Sequence, residues 1–346
     1  MEPPIIFFHP SERQRTDYRV AVSAWTDNSP LEQGQFYPRK RMTAEERFWW
    51  SSHFFDAVEV SSSFRTIPSA EITARWARRT PSKFLFNVKA HGLLTGHYLD
   101  VAGLPETLKK MIPRGQHMRR RVPSTVFGAK ARSWAFAELR KALQPLRLVG
   151  KLGYVLFQLA PWIKPTDETL SYLSTLRDEV PGAVIAVEFR NHAWFGQHTD
   201  DTLRFLAMHG LTYVSIDVPR SRATVPYLPA LTSSSAVFRL GTGKGLLDGP
   251  QLKTLRVGEK RDDLYSEQEL DEIAQAAGAL NGKAARVHIV MTSNRRDDQV
   301  INGLKLKAML LGDWYPPDRE ALIDELDDRR SRVEATRCAG GAVLRR

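Results

Sequence analysis

Val184-Ile-Ala-Val-Glu-Phe-Arg190 decides how this chain is read. Glu188 stands inside an apolar run, and Arg190 follows two residues later, so an extended strand puts both on one face. A buried carboxylate is costly unless it is paired or hydrogen-bonded, which requires other polar groups to meet it. Seven more runs have the same shape. Tyr18–Ala24 leads into Trp25, Asp56–Val60 holds Glu59, Phe84–Val88 leads into Lys89, and Tyr154–Leu159 holds Gln158. Leu211–Ile216 leads into Asp217, Ala236–Leu240 holds Arg239, and Arg286–Met291 runs toward Asn294. Helical patterns separate most of these runs, which implies a parallel sheet. Eight such units with polar carboxyl ends predict one closed α/β barrel, a (β/α)8 TIM-like fold with its site at the top.

The helices between the runs carry their own signals. Thr43-Ala-Glu-Glu46 and Ser266-Glu-Gln-Glu269 are capping boxes, in which hydroxyl and carboxylate satisfy exposed helix-start amides reciprocally. Helices are expected over Ser69–Arg79, Ala131–Leu146, Thr166–Val180, Asp200–His209 and Gln299–Leu311, and a charged one over Glu320–Ala335. The boundaries are an N-terminal extension over 1–17, a barrel over 18–312 and a C-terminal helix with a flexible tail over 313–346. Two connections are long: His91–Lys151, with an insertion over 98–151, and Val218–Ser235, read as a loop without a helix. Such loops are usually lids or binding loops.

The 346 residues fit one barrel domain, and the single cysteine, Cys338, allows no internal disulfide. No stretch reads as a signal-peptide core or a membrane span, so a cytoplasmic protein with no membrane partner is expected. The net charge of +11 is local. Twelve Lys/Arg lie between Lys109 and Lys151 against one acid, Glu138, and the rest of the chain balances at 38 to 38. A local patch points to a partner better than overall basicity does. Arg119-Arg-Arg121, with Arg114, has little helical periodicity. It is read as an exposed, mobile loop beside the mouth and as a nucleic-acid-binding segment.

The ordered motifs resemble the YecE-like family, known as domain of unknown function 72. They are Ala21-Val-Ser-Ala-Trp25 with Gln35-Phe-Tyr-Pro38; Phe55-Asp-Ala-Val-Glu-Val-Ser-Ser-Ser-Phe64 with Pro68; Thr80-Pro81 with Phe84-Leu-Phe-Asn-Val-Lys89; Gly153-Tyr-Val-Leu-Phe-Gln158; Ala186-Val-Glu-Phe-Arg190 with Trp194; Val237-Phe-Arg-Leu240; and Asn302. The resemblance covers roughly residues 18–312. It implies a TIM-like barrel and no settled activity. The chain departs from the family pattern at Ser61, Arg65, Gly241 and Thr292, which implies a site altered or inactive relative to relatives.

Glu188, Glu59 and Asp217 are the candidate catalytic groups, as an acid–base set, or else members of a structural ion-pair network. Lys89, Arg190 and Arg239 are the candidate anion holders, and Lys89 is alternatively a Schiff-base lysine if desolvated. His97, Gln158, Trp25, Trp194, Tyr37 and Lys244 complete the candidate binding set. Lys244 lies in Gly241-Thr-Gly-Lys-Gly245, a turn able to bring amides to an anion. No ligand spacing for a metal appears, no cofactor is indicated, and no nucleophile elbow is present. Two functions follow. One is a hydrolase-type enzyme acting on an anionic, phosphorylated or nucleic-acid substrate. The other is a non-catalytic protein binding nucleic acid or an acidic partner through the basic loop.

Overall fold

The computed structural model describes residues 3–10, 15–23, 36–39, 41–116, 118–217, 225–241, 264–292 and 297–343, with side chains as far as residue 332. Eight parallel strands close into a barrel: β1 Asp17–Val22, β2 Ala57–Val60, β3 Leu85–Lys89, β4 Leu152–Gln158, β5 Ile185–Glu188, β6 Thr212–Asp217, β7 Ser235–Leu240 and β8 Arg286–Met291. Each pairs with the next, and β8 returns to β1 in register from Arg286 beside Asp17 to Met291 beside Val22.

The surrounding helices are α1 Ala44–Phe54, α2 Ala70–Arg78, α3 Ala129–Leu148, α4 Asp167–Ser174, α5 Thr199–Met208, α6 Glu267–Gly278, α7 Asp298–Leu311 and α8 Arg319–Val343. Both capping boxes form, at Thr43 with Glu46 and at Ser266 with Glu269. The helix expected over Thr166–Val180 is broken. It stops at Ser174, and a separate turn covers Leu176–Glu179. Thr175 marks the break, its hydroxyl donating back to the Tyr172 carbonyl at 2.8 Å. The charged C-terminal helix is longer than expected and packs on α1, with Leu322 and Leu326 buried and Arg330 paired to Glu46.

Between β6 and β7, the described residues 225–234 contain no helix. They contain the strand Ala230–Leu231, which pairs in parallel with Ile5–Ile6. Ala230–Leu231 leads directly into β7, so the N-terminal extension is fastened at the bottom of the barrel.

Strand register sets the lumen. Glu59 lies beside Asn87, Gln158 beside Glu188, and His288 beside both Arg19 and Val237. Laterally paired residues share a face, so these side chains all point inward. A bulge in β4 lets three residues span what two span in β3, and both Gly153 and Tyr154 reach the lumen. Gly153 is required there: a Cβ would lie 2.1 Å from Asn87 Oδ1 and 3.2 Å from His288 Cε1. At the lower rim Asp17 pairs with Arg19 at 2.8 Å and with Arg286 at 2.9 Å.

Candidate functional site

The upper lumen is built on one guanidinium. Arg239 donates from Nε and Nη2 to the two oxygens of Glu59, each at 2.9 Å, and from Nη1 to Glu188. Arg190 donates from Nε to the other oxygen of Glu188. Tyr154 donates its hydroxyl to Glu59 at 3.1 Å. Glu59 and Glu188 are completely buried, and Arg239 is 7% exposed. Burial alone would raise the Glu188 carboxyl, but Arg239, Arg190 and Lys89 outweigh it and bring it down to about 2. Glu188 therefore stays ionised at neutral pH, with both oxygens engaged, and is a poor proton donor.

Lys89 ends β3 on the lumen face. Its Nζ lies 4.6 Å from the centre of the Phe64 ring and makes no hydrogen bond or ion pair with any described residue. Burial lowers its pKa, Arg239 adds to that, and Glu59 and Glu188 oppose it. With two carboxylates against Arg239, Arg190 and Lys89, the group carries one excess positive charge.

Phe64 starts a line of rings leading out of the mouth. It sits on the 3-10 turn Ser62–Phe64 directly after β2, where the Ser63 hydroxyl lies 2.7 Å from the Val60 carbonyl and 2.6 Å from the Lys89 carbonyl. His97 meets it edge-on at 4.8 Å, Trp162 meets His97 at 6.1 Å, and Tyr98 meets Trp162 at 5.4 Å. The turn Gly92–Thr95 delivers His97, ending at Gly96 with φ of +82°. That is the left-handed region that glycine tolerates without strain. Burial lowers the His97 pKa to about 4, helped by Lys89 and Arg190, so its imidazole is neutral at pH 7. Tyr98 opens the strand Tyr98–Asp100, which pairs antiparallel with Arg121–Pro123. Arg114, Arg119, Arg120 and Arg121 are exposed, and this hairpin brings the basic segment to the rim. The segment is thus less of a free loop than expected, because Leu108, Ile112 and Val122 anchor it in the core. Lys151 is not part of the rim. Buried, it donates to the Ala77 carbonyl in the last turn of α2 at 2.6 Å and to the Thr80 carbonyl just beyond it at 2.8 Å.

The profile described as "Protein of unknown function DUF72" matches residues 19–321. The chain belongs to the DUF72 family. It is 25% identical over 299 residues to the UPF0759 protein YunF of Bacillus subtilis (strain 168), a match covering 84% of this chain and 94% of that protein. Two DUF72 crystal structures share the fold. One, from Thermotoga maritima MSB8, has 23% identity and a TM-score of 0.63, covering 85% of this chain and 99% of the other. The other, from Enterococcus faecalis V583, has 19% identity and a TM-score of 0.66, covering 87% and 98%.

On this DUF72 barrel, Glu59, Lys89, Glu188, Arg190 and Arg239 converge, with His97 at the rim. Gln158 stands beside Glu188 in register. Three expected residues lie elsewhere. Asp217 pairs laterally with Leu240, one residue past the inward Arg239, so it faces the helices, where it accepts from the Tyr265 hydroxyl at 2.6 Å. Trp194 is buried core, stacked on Phe189 at 4.2 Å and donating to the Ile163 carbonyl at 3.0 Å. Tyr37 packs edge-on against Phe36, with its hydroxyl 3.0 Å from Ser51 on α1. Trp25 and Lys244 lie outside the described residues. Among the described residues no group of three or more His, Cys, Asp and Glu could hold a metal, and no helix is long and apolar enough to cross a membrane. Sequence reasoning missed Tyr154, Asn87, His288, Tyr98 and Trp162. Alternation back from Gln158 marks Tyr154 as inward; Trp162 carries no signal beyond standing just after β4.

Proposed function

We propose that the mouth of this barrel binds an anionic ligand that also carries a planar group. One observation carries the reading. Both central carboxylates are engaged by Arg239, Arg190 and Tyr154, while Lys89 has an aromatic face and, among the described residues, no ion pair. Arg190 uses only Nε on Glu188, and its side chain is 28% exposed. Its Nη edge suits a phosphate or carboxylate. Arg239 serves to hold the two carboxylates rather than the ligand. Glu188, locked as an anion, supports a positioning role better than acid catalysis, so the geometry favours binding over carboxylate-driven hydrolysis.

A second reading makes the ligand a single strand of nucleic acid. Tyr98 and Trp162 are each 51% exposed; Trp162 meets His97, and Tyr98 opens the hairpin that carries Arg121. Exposed rings beside a basic rim are the usual means of stacking bases while tracking phosphates.

Calorimetry with inorganic phosphate and a nucleoside monophosphate tests the first reading. Lys89→Met and Arg190→Gln should each weaken binding about 10- to 150-fold, the loss of one charge-assisted bond. Equal affinity in wild type and both variants, or no binding at all, would rule it out.

A further inference from the structure

We propose that Lys89 is a covalent site, forming an imine with the carbonyl carbon of an anionic aldehyde or ketone ligand. The proposal rests on the anion reading above and assigns the Lys89 amine a different task, leaving the Arg190 Nη edge and the basic rim for the anion.

The position of Lys89 suits this chemistry. A nucleophilic amine needs a free lone pair, and an ion pair or a hydrogen-bonded carboxylate would hold the proton on it. Among the described residues, Glu59 and Glu188 are the carboxylates whose charge acts on Lys89, and neither is available. Glu59 Oε1 accepts from Arg239 at 2.9 Å and Oε2 from Arg239 and Tyr154 at 2.9 and 3.1 Å. Glu188 accepts from Arg190 on one oxygen and from Arg239 on the other. Among the described residues the carboxylates acting on Lys89 are thus already matched, and the Phe64 ring 4.6 Å away positions Nζ without bonding to its lone pair. Burial beside Arg239 also makes the ammonium easier to deprotonate. The imidazole of His97, edge-on to the same Phe64 ring at 4.8 Å, is neutral and so adds no positive charge beside Nζ.

The step balances without a co-reactant. The Lys89 ammonium and a carbonyl give a protonated imine and water. A C–N bond forms, the C–O bond breaks, and the carbonyl oxygen leaves with two protons from the ammonium. No electrons are transferred, and one positive charge stands at Nζ before and after. The ion-pair group beneath therefore feels no change in net charge.

The test is reductive trapping on the full chain. The protein is incubated at pH 7 with glyoxylate and cyanoborohydride, and modified lysines are mapped by peptide mass spectrometry. Exposed Lys130 and Lys164 serve as internal references. Lys89 should be modified faster than either, by about tenfold for each pH unit by which its amine is easier to deprotonate. Lys89→Arg, which keeps the charge, should abolish that fast phase and leave the references unchanged, with its melting curve confirming the fold. Modification of Lys89 no faster than Lys130 would overturn the imine, even if calorimetry still showed phosphate binding. Parallel trapping with neutral acetaldehyde separates the two claims. Preferential capture of glyoxylate supports both. Equal capture of the two at Lys89 upholds the imine and removes the anion reading.

Discussion

Arg239 and Glu59 form a two-bond fork across the barrel, Nε and Nη2 each 2.9 Å from one carboxylate oxygen. The same guanidinium reaches Glu188, so one side chain from β7 holds carboxylates from β2 and β5. All three are buried, which makes the triad sensitive to losing its centre. Removing one partner of a buried ion pair leaves an uncompensated charge, which costs more than the pair contributes.

Arg239→Met should therefore destabilise the fold by about 3–5 kcal/mol in urea unfolding. Adding Glu59→Gln and Glu188→Gln should restore much of that, since no bare carboxylate then remains. A triple variant as unstable as the single one would show that packing, not charge, explains the loss.

Acid should weaken the fold in two stages. The folded His97 pKa is lowered from 6.5 to about 4, so the unfolded chain takes this proton first and stability falls as pH drops from 6.5 through 4. The folded Glu188 pKa is lowered from 4.5 to about 2, so its contribution is complete above 4.5 and is lost as pH falls toward 2. Urea midpoints against pH should show both; His97→Phe should reduce the upper stage, which buried His91 and His288 share because burial lowers their pKa as well, and leave the lower one unchanged. An NMR titration of His97 centred near 6.5 would contradict the first.

Gly153→Ala should cost about 1–3 kcal/mol, the usual range for overpacking a core. The added methyl meets Asn87 Oδ1 at 2.1 Å, and Asn87 is completely buried. Asn87→Ala in the same chain should relieve most of the cost. Additive losses in the double variant would place the strain elsewhere.

If nucleic acid occupies the rim, binding should weaken by roughly 0.7 log units per tenfold salt for each phosphate contacted on a single strand. Arg119→Ser, Arg120→Ser and Arg121→Ser together should reduce both affinity and slope. Trp162→Ala should cost about 1–3 kcal/mol per unstacked base with the slope unchanged. Fluorescence anisotropy with labelled oligonucleotides measures both. Salt-insensitive binding, or none at low ionic strength, would leave a small anion as the ligand.

The strand count, the closed barrel and the helix starts were legible in the chain, because apolar alternation and capping are local. Period-two spacing likewise put Glu188 with Arg190 on one face. Which polar residues meet was decided by the tertiary structure. Asp217 ends a strand as Glu188 and Lys89 do, yet its register beside Leu240 turns it toward Tyr265. Trp194 looked like a ligand wall and is core, because the turn after β5 folds it back onto Phe189. Tyr98 and Trp162 lie 64 residues apart and share no motif; they meet because β3 and β4 are neighbours and their following loops leave from the same end of the barrel. Pairing across strands depends on register and closure, and these are properties of the whole ring rather than of any one run. Strand chemistry is thus written in the sequence; that Lys89 makes no ion pair among the described residues is decided only by the fold, in which Arg239, from a strand 150 residues away, holds both carboxylates.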